Sequence, residues 1–450
     1  MKNRGFGKKK TGLLLCLSLL LFTGCVEEQA AGGTGLDSGS AQAEAGGTVQ
    51  ESTPAGAGGM VQNGSAPQEG VPTESGSAVN GSAPQESVPA EAGGSALQES
   101  ASAEAGGTGA DDSITLIMVG DILLHTPVAE SGKTKDGEYD FSAIFAPLKE
   151  EIQSADIAIV NQEVIIGGAE LGVSGYPAFN APYELGDALV EAGFDVVCQG
   201  TNHALDKGKK GILNCISYWR EEHPEIAVLG IHDSEEAASS VYIREEDGFR
   251  IAILNYTYGT NGITLPEGMP YAVELLDKEK VAADLKEAEE KADFVVVCPH
   301  WGTEYRLKQT GEQESWAAFF AENGADLVIG THPHVVEPVE WVEDTLVYYS
   351  LGNFVNWTSG TGEGVKNRMV GAMAQVTLAR NDAGEVSIRE WAAEPVVCHV
   401  ESGFGGVTVY PLSEYTEELA AGNEIVKQDG EFSLESCKEL AEQVFGIAVE

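Results

Sequence analysis

Asp326-Leu327-Val328-Ile329-Gly330-Thr331-His332-Pro333-His334 holds, in one short stretch, the pattern that organises most of this chain. A few consecutive apolar residues, too short and too evenly apolar for an amphipathic helix, read as a strand buried on both faces. The residues just after such a strand stand where α/β proteins gather their functional groups, at its carboxyl end. Here those residues include two histidines separated by a proline.

Outward from this stretch the arrangement recurs. ITLIMV from 114 runs into Gly120-Asp121 and His125, and IAIV from 157 into Asn161-Gln162-Glu163. FDVVC from 194 precedes Thr201-Asn202-His203 and Asp206, while FVVVC from 294 precedes His300-Trp301 and Glu304-Tyr305. LVYYSLG from 346 ends on Gly352 and is followed by Asn353-Phe354; IAVLG from 226 and IAILNY from 251 complete the set. Helical patterns at 183–192, 209–222, 278–292 and 311–323 alternate with these runs. Strand and helix alternating over about 330 residues predict an α/β domain with one or two central sheets flanked by helices. From Gln375 onward helical patterns thin out, which predicts an antiparallel extension and then a C-terminal helix from Ser433.

Of the eight histidines, His125, His203, His300, His332 and His334 all fall at strand ends. Neutral imidazoles with carboxylates are the usual donors for zinc, manganese or iron, and an asparagine carbonyl can complete such a set. With Asp121 and Glu163 in the same layer, the pattern points to a metal-dependent or metal-descended site.

The order of these residues resembles that of the metallophosphatase superfamily: an Asp, a second acid, an Asn-His pair, a lone His and a His-x-His. That resemblance implies Asp121, Glu163, Asn202, His300, His332 and His334 as ligands of a divalent metal (Mn, Zn or Fe), and His203 as a general acid. The Asp-x-His opening of the superfamily is absent, and Glu163 replaces its usual Asp, which leaves a one-metal or vestigial site open beside a two-metal one. More specifically, residues 114–357 resemble the CapA family through Val119-Gly120-Asp121, Asn161-Gln162-Glu163, Asn202-His203-Ala204-Leu205-Asp206, His300-Trp301-Gly302 with Glu304-Tyr305, His332-Pro333-His334, and Ser350-Leu351-Gly352-Asn353-Phe354. Gln162 stands where that family commonly has Leu. The resemblance implies a metallophosphatase-like fold and a role in making or exporting poly-γ-glutamate, with membrane-bound polymer synthase subunits as partners. The chain would then be either a metal-dependent hydrolase or transferase of phosphoesters or amides, or an accessory that binds polymer or synthase without catalysis.

Around the core motifs the expected substrate contacts are Trp301, Glu304, Tyr305, Asn353, Lys207 and Arg306. Trp301 and Tyr305 read equally well as an aromatic wall or as loop anchors. Asp206 either fixes the tautomer of His203 or caps the next helix. Cations are few, so Lys207, Lys209, Lys210, Arg306, Lys308, Lys366 and Arg368 form either a positive rim for an anionic ligand or solvated surface. No GxSxG elbow and no GxxxxGK[ST] loop is present, which argues against serine-hydrolase and P-loop chemistry.

The N-terminal part has another texture. Lys2, Arg4, Lys8, Lys9 and Lys10, the apolar run 13–22 and Thr23-Gly24-Cys25 read as an export signal over 1–24 that resembles a bacterial lipobox, with Cys25 as the lipidated residue. Residues 25–112 are rich in Ala, Gly, Ser and Glu; from Val26 on they contain no Lys, Arg, Phe, Tyr or Trp. Such a stretch cannot bury enough apolar surface to offset ordering entropy and is predicted to be a disordered acidic tether. Its heptapeptide Asn-Gly-Ser-Ala-Pro-Gln-Glu occurs at 63 and again at 80. As a flexible coil it would reach on the order of 50 Å, placing the 113–450 domain clear of the extracytoplasmic membrane face. The formal net charge of −45 argues against nucleic-acid partners. Five cysteines remain beyond Cys25, an odd number that forces no disulfide.

Overall fold

The computed structural model describes residues 112–357, 360–361 and 364–446. The expected signal segment, Cys25 and all of the expected tether except its last residue lie outside the described residues. Among the described residues no helix is long and apolar enough to cross a membrane.

Strands β1 (Ser113–Ile122), β2 (Ile157–Asn161), β3 (Val196–Cys198) and β4 (Ala227–Leu229) form the parallel half of one sheet. Next come β5 (Tyr242–Glu246), β6 (Phe249–Thr257), β7 (Phe294–His300), β8 (Leu327–Ile329), β9 (Val336–Val342) and β10 (Thr345–Leu351), which build a second sheet in the order β5-β6-β7-β8-β10-β9. The chain then returns to the first sheet with β11 (Asn353–Val355), parallel to β1, and with β12 (Val370–Arg380), β13 (Val386–Val400) and β14 (Val407–Pro411). These last three make an antiparallel extension in the order β14-β13-β12-β1-β2-β3-β4. The antiparallel extension and the apolar runs as strands are as the sequence predicts, and of the one or two sheets it allows the fold has two. The C-terminal helix is Leu434–Phe445, capped by the Ser433 hydroxyl.

Why the sheets pack as they do is visible in β7. Side chains of a strand alternate between faces, so Phe294, Val296 and Cys298 join the large core shared with the first sheet, whereas Val295 and Val297 face the other way. On the inner side Cys298 Sγ lies 3.6 Å from Met118 Sδ of β1, across the two sheets. On the outer side Val295 and Val297 pack with Val281, Leu285 and Ala288 of helix Lys278–Lys291 and with Ala317 and Phe320 of helix Gly311–Glu322. Each fully buried Val contributes roughly 1.5–3 kcal/mol of transfer free energy. A charge at Val296 would therefore forfeit that term and leave an unpaired ion between the sheets. All five described cysteines are free and buried.

The strands end in register at one edge of this core. Asp121 sits opposite both Asn161 and Asn353, at the point where β1 shifts register between β2 and β11. Gly120 permits the approach, because a Cβ there would collide with the Gly352 carbonyl, to which the Asp121 N–H donates at 2.9 Å.

Candidate metal centre

Two other chain segments, the end of β2 and the His332–His334 turn, meet at the Asp121 carboxylate, which makes it the mechanical hub of the site. Asn161 Nδ2 donates to Oδ1 at 2.8 Å, the His332 N–H approaches Oδ2 at 3.2 Å, and His334 Nδ1 lies 3.0 Å from Oδ2. Asn353, beside Asp121 in β11, donates through Nδ2 to the His334 carbonyl at 3.0 Å and so holds the same turn from the other side.

Glu163, just beyond the end of β2, is fully buried, and neither carboxyl oxygen has a hydrogen-bond partner. Around its Oε1 stand His334 Nε2 at 3.7 Å, His300 Nε2 at 3.8 Å and His203 Nε2 at 3.9 Å. Those separations are too long for hydrogen bonds. They are what two donors adopt when each lies roughly 2.0–2.2 Å from a shared ion. Burial first, and then the charges of Asp121 and Glu304, push the Glu163 carboxyl well above the usual carboxylate range. His300 and His332 are held well below the usual imidazole range by burial and then by neighbouring imidazoles. His125 is pushed down to about 4, by burial first and then by His334, His203 and Arg368. The lowered pKa values favour neutral rings, the form in which imidazole binds metal, around a buried acid.

Two donor groups emerge: Glu163 with His300 and His332, and Asp121 with Glu163 and His334, each with its donor atoms within 4.8 Å of one another. Glu163 belongs to both. A buried carboxylate without hydrogen bonds and the unpartnered Nδ1 of His332 fit a divalent cation in either group. The nitrogen and oxygen donor set suits manganese, zinc or iron. In an extended loop His332 and His334, two residues apart, would project to the same side, but this turn is not extended. Both have positive φ, +99° and +59°, so an i, i+2 pair does not project to one side, and each histidine joins a different group.

His203 forms the next layer. Its Nδ1 lies 2.7 Å from Asp206 Oδ2, which also accepts the Phe179 N–H at 2.7 Å. Asp206 does not cap the following helix: that helix is Gly208–Glu222, with Lys207 at the cap position and no side-chain cap bond. Donation from Nδ1 leaves Nε2 facing Glu163, while the Phe179 ring stands edge-on to the imidazole at 4.7 Å. Asn202 Oδ1 lies 3.0 Å from His300 Nε2, and its amide approaches the Tyr258 hydroxyl at 3.4 Å.

The expected substrate contacts divide. Glu304, Tyr305 and Asn353 line a cavity of about 310 Å³ that opens onto His203, His334 and His125. Trp301 does not: it is buried on the outer face of the second sheet, its indole N–H donating to the Tyr349 carbonyl at 2.9 Å. Alternation explains this, since the residue after His300 must point away from it. Lys207 and Arg306 are not among the lining residues; Lys207 Nζ instead donates to the Ala178 carbonyl at 3.2 Å. Arg368 supplies the cation, its guanidinium 3.6 Å above the Tyr305 ring. Sequence reasoning gave no role to Asn161, His125, Phe179 or Tyr258. Asn161, His125 and Tyr258 carried a signal as strand-end residues, Tyr258 following β6 directly, whereas Phe179 lies in a loop that no spacing marks.

With this geometry in view, the relatives can be placed. The "PGA biosynthesis protein CapA" of Bacillus subtilis (strain 168) is 30% identical over 204 residues, 44% of this chain and 51% of that protein. The "Capsule biosynthesis protein CapA" of Bacillus anthracis is 29% identical over 268 residues, 55% of this chain and 62% of that protein. The alignments thus span between half and two thirds of the curated relatives' length. A solved 5'-nucleotidase precursor from Thermus thermophilus superposes with a TM-score of 0.36 at 14% identity, over 63% of this chain and 54% of the other. That overlay is loose, and the α/β assignment rests on the sheets themselves. Every member of the buried cluster falls within residues 115–358, more than half the chain, which match the model of the bacterial capsule synthesis protein PGA_cap, and this protein belongs to that family.

Proposed function

We propose that this protein is a metal-dependent hydrolase or transferase that acts on poly-γ-glutamate, or a related anionic surface polymer, during its synthesis or export. It works at the extracytoplasmic membrane face, held by a lipid on Cys25, beside membrane-bound synthase subunits. The observation that carries this reading is Glu163: a fully buried carboxyl with no hydrogen bond, ringed by three imidazole nitrogens. A site with no cation to hold would leave that acid costly and unexplained.

Asp121, Glu163, His300, His332 and His334 would hold the metal, with Asn202 beside His300. A bound divalent ion supplies Lewis acidity and lowers the pKa of water. The protein's own residues do the rest. Asp206 fixes the ring of His203 through Nδ1 and leaves Nε2 to exchange a proton with a substrate atom in the cavity. Phe179 closes the edge of that ring against water. Asp121 and Asn353 hold the His332–His334 turn from two sides, so the donors are set before substrate arrives.

The test is elemental analysis of the purified full chain, prepared without chelators and with added manganese or zinc, paired with turnover of γ-glutamyl amides and generic phosphoesters. Bound metal with turnover that His203→Gln abolishes is expected. Absence of both metal and turnover would leave a polymer- or synthase-binding accessory.

A further inference from the structure

One imidazole in the cavity beside the cluster belongs to neither donor group. His125, just beyond the end of β1, lines that cavity together with His203 and His334. His203, His300 and His334 each hold a ring nitrogen close to a polar atom, of Asp206 at 2.7 Å, Thr331 at 3.0 Å and Asp121 at 3.0 Å. Among the described residues the His125 ring makes no hydrogen bond and no ion pair, and its contact is with the Phe179 ring. Its backbone, by contrast, is held on both sides. The His125 N–H donates to the Leu123 carbonyl at 2.9 Å, and its own carbonyl accepts from the Ala129 N–H at 3.0 Å, at the cap of helix Thr126–Ser131. The main chain is thus fixed while the imidazole stays uncommitted, the condition a ligand-contacting side chain needs.

Phe179 ties this ring to His203. It stands edge-on to both imidazoles, with centroids 5.1 Å from His125 at 74° and 4.7 Å from His203 at 82°. Asp206 accepts the Phe179 N–H at 2.7 Å and lies 2.7 Å from His203 Nδ1, so one carboxylate places both neighbours of the pair. The two imidazoles differ in character. Asp206 supports a charge on His203, whereas no acid pairs with His125, whose neutral form is favoured by burial first and then by His334, His203 and Arg368. A neutral imidazole presents one N–H and one lone pair, and its N–H can stabilise negative charge on a ligand without giving up the proton.

We propose that His125 is a further catalytic residue, whose imidazole N–H donates a hydrogen bond to the substrate oxygen that gains negative charge while His203 exchanges its proton with another substrate atom. The assignment rests on the reading of the buried cluster as a reaction centre. No covalent bond is made or broken at His125: its proton stays on the ring, and the hydrogen bond strengthens as the oxygen becomes charged. That oxygen is the carbonyl oxygen of an amide or a non-bridging oxygen of a phosphoester, so the role is the same for either substrate class. A donor that gains strength only as charge develops acts on kcat rather than on substrate binding.

The experiment is steady-state kinetics of the full chain, loaded with manganese or zinc, on γ-glutamyl p-nitroanilide and on p-nitrophenyl phosphate, with metal per chain and urea unfolding measured on the same samples. His125→Phe keeps a ring against Phe179 and removes the donor; it is expected to lower kcat about 100-fold or more with KM within about threefold of wild type. His125→Gln restores an N–H and should recover about tenfold of that loss, with bound metal unchanged in both variants. A kcat within about threefold of wild type in His125→Phe overturns the assignment, as does a rise in KM at unchanged kcat. A Gln variant no better than the Phe variant overturns it too, and so does loss of metal, since His125 would then be supporting the cluster. Should His125→Phe fail to unfold cooperatively in urea, His125→Ala takes its place with the same expected outcomes. Turnover indifferent to His125 overturns this assignment alone, whereas a wild-type chain that turns over neither compound overturns it together with the reading of the cluster as a reaction centre.

Discussion

Replacing Glu163 with Gln tests the shared-carboxylate arrangement. Glu163 belongs to both donor groups, His332 to one and His334 to the other. An ion that binds only the folded chain stabilises it by about 2.7 kcal/mol when free metal is about 100 times its dissociation constant. Two ions would therefore add about 5.4 kcal/mol to the wild type, and His332→Ala or His334→Ala should each retain about half of that increment. Glu163→Gln should retain none, although Gln fills the same volume. The assay is urea unfolding of each chain with manganese and with chelator, compared within each variant so that any change in the metal-free fold cancels, with elemental analysis in parallel. Survival of the increment in Glu163→Gln would refute the reasoning. Complete loss in both single histidine variants would refute the two-group arrangement in favour of one ion.

Three further outcomes are expected. Gly120→Ala should destabilise the chain by about 2–6 kcal/mol in urea unfolding, combining overpacking against the Gly352 carbonyl with rupture of the buried Asp121–Gly352 hydrogen bond; a loss under about 1 kcal/mol would show that β1 and β11 separate freely. Burial raises the Glu337 carboxyl from 4.5 to about 7, against the opposing effects of Gln313 and Arg306. The folded chain then holds a proton that the unfolded chain has released between those values, so stability present below pH 4.5 is lost as pH rises towards 7. Glu337→Gln, which can keep accepting from Gln313 Nε2, should flatten that fall by up to about 3 kcal/mol in denaturation at pH 5 and pH 8, and parallel curves for the two proteins would refute it. Cys25→Ala should release the protein from membranes in fractionation; a variant that still pellets after a high-salt wash would show another anchor.

How much of this was legible in the sequence follows from the range of each signal. The apolar runs declared their strands because burial on both faces removes polar residues from a local stretch, whatever lies elsewhere. Helix Gly311–Glu322 was placed to within a residue because its period and its Thr310 cap are local as well. The strand-end histidines and acids marked the site for the same reason: each follows its own strand directly. What the sequence could not decide is where two distant segments meet and at what angle. The positive φ values at His332 and His334 arise where the turn meets Asp121 and Asn353, and they sent the two rings to different donor groups. Asp206 turned to His203 and Phe179 rather than to the helix beside it, and Arg368 reached the cavity from outside the motif-bearing segment. Local patterning determined the elements and which residue types end them. Long-range register between strands far apart in sequence decided which atoms face one another, because side-chain direction is fixed only once the sheets have packed.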